Sequence, residues 1–208
     1  TLTVLNKPDY IAPNGGNTTV NFGALDSEGD GLPNFFGTSA AAPHAVATAA
    51  LILEAHHKFE LSNATTFGKP QLLTLLNSTA VDMDVPNFDY VTGYGLMQAD
   101  NAIRTFANPK PHLTSAKSPS GVQVGQVSFT ATIKGEYLTP TTQLFMDGVP
   151  LTNVVFVNKN EMTATVPTFT ANNPLVYAVT PAKSTSALDG GSSNSVTFNT
   201  QKVKVVVD

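Results

Sequence analysis

The residues best placed to do chemistry lie between Asn34 and His57, in the stretch NFFGTSAAAPHAVATAALILEAHH. Ser39 follows Gly37-Thr38 and leads into an alanine-, leucine- and isoleucine-rich run from Ala45 to Ala55 that lacks Gly and Pro. That run predicts a helix. Pro43 is assigned to the first turn of the helix, where a missing N–H costs nothing. A serine on a sharp approach to a helix N-terminus has unpaired backbone N–H groups beside its hydroxyl. Such donors suit a developing oxyanion, so the chemistry would be nucleophilic attack on a carbonyl. Gly37 permits the tight turn, and Ala40, Ala41 and Ala42 keep bulk away from the serine. The same position also suits a helix N-cap, a common use of serine before an apolar run.

A serine nucleophile needs a base. The four histidines, His44, His56, His57 and His112, all follow Ser39. His44 is five residues on, about 140° around a helix, and faces away from the serine. His56 and His57 adjoin Lys58 at a helix end, where positive charge suits the dipole, and adjacent helical positions do not converge on one metal. His112 falls in a proline-flanked linker. The carboxylates before Ser39 are Asp9, Asp26, Glu28 and Asp30. Asp26-Ser27-Glu28-Gly29-Asp30-Gly31 has the D-x-[DE]-x-D-G spacing of a calcium loop, which makes Asp26, Glu28 and Asp30 candidate ligands of a structural calcium ion. The residue that would close such a loop with a bidentate acid is Gly37, so a solvated acidic turn is the favoured reading. Asp82, Asp84 and Asp89 read as surface turn residues rather than acid–base groups.

The longer string narrows the choice. Gly37-Thr38-Ser39-Ala40-Ala41-Ala42-Pro43-His44 resembles the nucleophile segment G-T-S-x-A-x-P-H of the subtilisin-like serine peptidases at every fixed position. Lys7-Pro8-Asp9-Tyr10-Ile11-Ala12-Pro13 resembles that family's K-P-D-x-x-A-P segment. Gly93-Tyr94-Gly95-Leu96, followed by Ala99 and Ala102, resembles its late G-x-G segment. The likeness runs over roughly residues 1–107. Asn14 departs from it, standing where the family usually has glycine, as does Ala45-Val46-Ala47-Thr48, where a glycine is common. The resemblance implies that Ser39 attacks a peptide carbonyl, that its own N–H stabilises the oxyanion with support from Thr38, and that His44 is structural. It also implies a triad in the chain order Asp, His, Ser. No histidine precedes Ser39, and no segment matches the family's oxyanion asparagine. The chain therefore reads as the back part of a peptidase domain, whose front part would be its partner and polypeptide its substrate. The chemistry calls for no cofactor.

Several elements must hold these residues. Thr1–Leu5 reads as the end of a strand, Lys7–Gly16 as a Pro- and Gly-broken loop, and Asn17–Gly23 as a short strand. Lys69–Asn77 reads as a helix with Leu72, Leu73, Leu75 and Leu76 on its apolar side, and Leu96–Phe106 as a closing helix with Met97, Ile103 and Phe106 inward. This pattern fits the edge of an α/β domain with a mostly parallel sheet. Asn108-Pro109-Lys110-Pro111 marks a boundary between units at 1–108 and 109–208.

Beyond the boundary the texture turns to valine and threonine. Val127, Phe129, Ala131 and Ile133 alternate with polar residues, as do Met162, Ala164 and Val166. Met146-Asp147-Gly148-Val149 is a hairpin signal, and Leu175–Val179, Ser195–Phe198 and Lys202–Val207 supply further strands. This many short strands predict an all-β sandwich. Ser118-Pro119-Ser120-Gly121, Val124-Gly125 and Val166-Pro167 resemble the immunoglobulin-like IPT/TIG modules. No titratable cluster occurs in this half, whose role is then that of a spacer or a binding module.

Composition sets outer bounds. The chain has 208 residues, 41% hydrophobic and 12% charged, a net charge of −4 and no cysteine. It offers no basic surface for nucleic acid and no apolar run near the ~20 residues of a membrane span. Disulfides and thiolate metal sites are excluded. A secreted or cell-surface setting fits. The missing signal peptide and initiating Met fit a chain begun part-way through. Asn17-Thr18-Thr19, Asn63-Ala64-Thr65 and Asn77-Ser78-Thr79 match the glycosylation pattern, which arises readily in a Thr-rich chain. Two functions remain: a subtilisin-like endopeptidase, or a non-catalytic interaction protein that keeps a degenerate peptidase fold beside a binding module.

Overall fold

The computed structural model describes residues 5–21, 23, 25–122, 124–171 and 173–198. The chain divides into two compact units, Thr1–Phe106 and Ala107–Asp208. The strand expected over Lys202–Val207 and most of that over Thr1–Leu5 lie outside the described residues.

The first unit is built on three helices: α1 (Thr38–Glu60), α2 (Lys69–Thr79) and α3 (Ala99–Arg104). α1 extends well beyond the predicted run at both ends. Pro43 sits in its second turn rather than its first, so it removes the N–H that would have bonded the Ser39 carbonyl. The helix stops at Leu61, which takes the left-handed conformation (φ 55°, ψ 29°) usually left to glycine. Ala45, Ala49 and Ile52 recur at helical spacing and pack against Phe67, Leu72, Leu76, Met97 and Ala102 to form this unit's core. α2 begins behind Gly68, whose N–H donates to Gln71 Oε1 at 3.1 Å. It buries Leu72 and Leu76 but leaves Leu73 37% exposed.

Three expectations need correction here. The strand expected over Asn17–Gly23 is a two-residue β1 (Gly16–Asn17), paired antiparallel with β2 (Asn34–Phe35). The closing helix shrinks from Leu96–Phe106 to α3, because Leu96 is spent on bridges to Ile11 and Val81. The mostly parallel sheet is absent among the described residues, where the one parallel pairing in this unit is the bridge Ile11↔Leu96. Parallel pairing needs long extended partners joined by crossovers, and these loops offer single residues.

The second unit comprises β3 (His112–Lys117), β4 (Phe129–Glu136), β5 (Gln143–Met146), β6 (Val149–Pro150), β7 (Thr152–Asn158), β8 (Glu161–Val166), β9 (Leu175–Thr180), β10 (Gly191–Ser192) and β11 (Val196–Thr197). One antiparallel sheet has the order β3-β4-β8-β7. The other runs β10-β9-β5-β6, with β11 also on β9. Alternation on β4 buries Phe129, Ala131 and Ile133, and on β8 it buries Met162, Ala164 and Val166. These side chains meet Leu144, Met146, Val176 and Ala178 of the other sheet in one core. The hairpin expected at Asp147-Gly148 forms with both residues at positive φ (47° and 85°), the type I′ requirement.

His112 opens β3 instead of lying in a linker. Val127 stays 51% exposed outside β4. β7 had no clear alternation to announce it, because its register on β8 shifts twice. No helix among the described residues is long and apolar enough to cross a membrane.

Candidate active site

Segments far apart in sequence meet around the start of α1. Residues 9–16 are strapped to residues 93–97 on one side. The Tyr94 N–H donates to Asp9 O at 2.8 Å, the Ile11 N–H to Gly95 O at 3.0 Å, and the Met97 N–H to Ile11 O at 3.2 Å. Only glycine allows this approach: a Cβ on Gly93 would lie 2.3 Å from Asp9 O, and one on Gly95 2.1 Å from Val81 O. Tyr10 anchors the strap, its hydroxyl donating to Leu73 O and to Asn77 on α2. Burial, helped by the charge of Asp9 and by Tyr94, pushes that hydroxyl up to about 12.

On its other side the strap grips the turn before α1. The Gly15 N–H donates to Phe35 O at 3.0 Å. Asn34 Nδ2 donates to Gly15 O at 3.0 Å and to Asn17 Oδ1 at 2.8 Å. The Gly37 N–H donates to Asn14 Oδ1 at 2.7 Å. The three segments of the sequence resemblance thus form one structure.

Gly37 is the N-cap of α1, at φ 99° and ψ 177°, a conformation side chains resist. Its carbonyl accepts from the N–H groups of Ala40 (2.9 Å) and Ala41 (3.2 Å). Thr38 and Ser39 are therefore the first two residues of the helix, and their N–H groups precede its first acceptor. No side chain caps α1, so Ser39 is not used as an N-cap. Ser39 is exposed while Ala40 beside it is buried. The arrangement presents a hydroxyl to solvent beside uncommitted donors at the positive end of a helix.

Among the described residues no histidine or carboxylate bonds the Ser39 hydroxyl. His44 Nδ1 lies 2.8 Å from Ala40 O and ties the first turn of α1. His56 Nδ1 lies 2.8 Å from Ser62 Oγ, and its ring stacks on Phe67 at 3.6 Å. Burial lowers its pKa, against the opposing charge of Glu60. His57 Nδ1 pairs with Ser62 O, so these neighbours converge on one residue at the helix end. His57 borders a cavity of about 460 Å³ lined also by Leu53, Ser62, Phe67 and Leu72, roughly 25 Å along α1 from Ser39. His112 is exposed on β3.

The acidic residues 26–31 form a self-closed turn. Asp26 Oδ1 accepts from the Gly29 N–H at 2.7 Å and the Asp30 N–H at 3.2 Å, and Asp26 Oδ2 from the Gly31 N–H at 2.8 Å. These bonds, the Gly31 one foremost, hold its carboxyl below the ordinary range. Asp30 accepts from Asn17 Nδ2 at 2.6 Å and from the Leu32 N–H at 2.9 Å. Asp26, Glu28 and Asp30 are not brought together as a calcium site. The lone pairs of Asp26 and Asp30 are turned onto N–H donors, and no group of three His, Cys, Asp or Glu able to hold a metal occurs among the described residues.

Sequence reasoning did not find the roles of Asn14 and Asn34. Asn14 signalled itself only as a departure from the expected glycine. Asn34 is 4% exposed, and its side chain holds Gly15, Asn17 and the Ser27 N–H (2.7 Å) together. Its signal was an asparagine next to two aromatics, which gives no hint of such a hub.

Comparison with known proteins adds a family relationship. Residues 2–95 match the family model described as the Subtilase family. This stretch is therefore related to the subtilase serine peptidases. No curated protein matches the chain.

Proposed function

We propose that this chain carries the nucleophile of a subtilisin-like serine endopeptidase, with Ser39 attacking the peptide carbonyl. The observation that carries the reading is the exposed, uncapped Ser39 at the start of α1, inside the stretch related to the subtilases. Ser39 Oγ adds to the carbonyl carbon as a histidine takes its proton. The oxyanion forms against the Ser39 N–H, with Thr38 in support, and collapse releases the amine as the histidine returns the proton. Water, giving its proton to the same histidine, then cleaves the acyl-Ser39 ester and frees the acid and the serine. The four histidines here are exposed on β3, tied to Ala40 or tied to Ser62. The base and its aspartate are therefore supplied by the rest of the peptidase domain, outside these residues. No cofactor enters the chemistry. The substrate is polypeptide, and the setting secreted or cell surface. We assign residues 109–208 as an immunoglobulin-like IPT/TIG module appended to the peptidase, without chemistry of its own.

The test is labelling of the intact protein with a fluorophosphonate, followed by peptide mapping and peptide hydrolysis assays. A covalent adduct on Ser39, lost together with hydrolysis in Ser39→Ala, is the expected result. Full activity in Ser39→Ala would overturn the assignment. An intact protein that neither labels nor hydrolyses would point to the interaction-protein alternative.

A further inference from the structure

We infer that Asn14 is a positioning residue for the Ser39 nucleophile, acting through Gly37; the inference rests on the peptidase reading above. Gly37 is the joint on which Ser39 is aimed, and its φ of 99° and ψ of 177° belong to a region where glycine is otherwise free to wander. A joint of that kind points the serine in one direction only if both of its peptide ends are held. The carbonyl end is held by the Ala40 and Ala41 N–H groups of α1. The amide end is held by a single bond, to Asn14 Oδ1 at 2.7 Å, from a residue 23 positions away.

Asn14 is itself fixed through its neighbour. The Gly15 N–H donates to Phe35 O, and Gly15 O accepts from Asn34 Nδ2. Phe36 packs so closely that a Cβ on Gly15 would meet its ring at 2.6 Å. The acceptor is thus delivered by a stapled loop, and the bond passes that rigidity to the peptide planes preceding Thr38 and Ser39. Removing the acceptor leaves Gly37 tethered at one end. The turn then samples directions in which the Ser39 hydroxyl and N–H no longer face the same carbonyl.

The experiment compares the intact wild-type protein with Asn14→Ala and Asn14→Asp. It measures the fluorophosphonate labelling rate at Ser39, kcat and KM, the melting temperature, and hydrogen exchange at the Gly37 amide. With one exposed hydrogen bond lost, labelling and kcat fall about tenfold in Asn14→Ala. KM stays unchanged, Gly37 exchange accelerates and the melting temperature holds. Asn14→Asp keeps an acceptor oxygen and restores both rates and protection. If wild type labels and Asn14→Ala labels as fast, the positioning role is overturned while the peptidase reading stands. The positioning role is equally overturned if Asn14→Ala loses rate only in proportion to lost folded protein. If wild type does not label at Ser39, the peptidase reading falls and this inference falls with it.

Discussion

The two units spend their apolar residues in opposite ways. In the second, nearly every alternation lands on a shared core, and Ile133, Ala131, Ala164, Val166, Val176 and Ala178 are sealed from solvent. In the first, the 23-residue α1 buries only Ala40, Ile52 and Ala55, and leaves Val46 69% and Leu51 54% exposed. This unit's core is the smaller cluster around Ile52, Phe67, Leu72 and Leu76, and the turn before α1 is held by hydrogen bonds instead. One unit is organised mainly around packing and the other holds an exposed serine on a hydrogen-bonded turn, so on the proposed function stability and chemistry should respond to different substitutions.

The largest expected effect is on chemistry. Ser39→Ala should lower hydrolysis by the intact protein by several orders of magnitude. It should leave the melting temperature nearly unchanged, since the hydroxyl is exposed and caps nothing. His44→Ala should do the reverse, loosening the first turn of α1 while folded molecules keep their activity. A Tyr177→Ala change, in the second unit, should leave kcat as it is. Loss of kcat there would break the division of labour.

Packing gives the next effect. Ile133→Ala empties a fully buried site between the sheets and should cost about 3 kcal/mol. Leu51→Ala, on the exposed face of α1, should change the stability of this 208-residue chain by less than ~0.5 kcal/mol. Chemical denaturation of both variants checks the contrast. A large cost for Leu51→Ala would show that this face is covered.

A third test uses acid. Asp189 is buried, which by itself would raise its pKa, but the Asn108 N–H, the Ser184 hydroxyl and the Lys183 and Ser184 N–H groups hold it down at about 2 instead of 3.8. A depressed folded pKa stabilises above the unfolded value and stops doing so as pH falls through the folded one. The second unit should therefore lose about 2 kcal/mol between pH 4 and pH 2. Asp189→Asn should be weaker at neutral pH and flat across that window, by melting at each pH. The smallest effect concerns calcium: adding or chelating the ion should not move the melting temperature, and Asp26→Ala should loosen the turn equally with or without it. A calcium-dependent rise abolished by Asp30→Ala would reinstate the metal loop.

What could be read beforehand follows from the same physics. The turn into α1, the helix itself and the Asp147-Gly148 hairpin were legible because each depends on neighbours within a few residues. The inward sides of β4 and β8 were legible through strict alternation. Asn14, Asn34 and the strap from Asp9 to Tyr94 were not, because the bonds that join these segments reach across 17 to 85 positions, through single side chains or bare peptide groups, beside the local Ser27 bond of Asn34. The acidic turn shows a related limit of spacing alone. The carboxylates were in place, but which way they turn is settled by the N–H groups of Gly29, Asp30 and Gly31.

Pro43, lodged in the second turn of α1, gives the serine a mechanical setting of its own. With no N–H at Pro43, the Ser39 carbonyl never enters the ladder that makes the remaining helix stiff. The first turn is thus a short cantilever, joined to the shaft by one backbone spring fewer and by the His44 side chain on Ala40 O. Small displacements of Ser39 bend the cantilever without straining the shaft. Any restraint on where Ser39 points then comes from the clamp on Gly37 more than from the helix that follows.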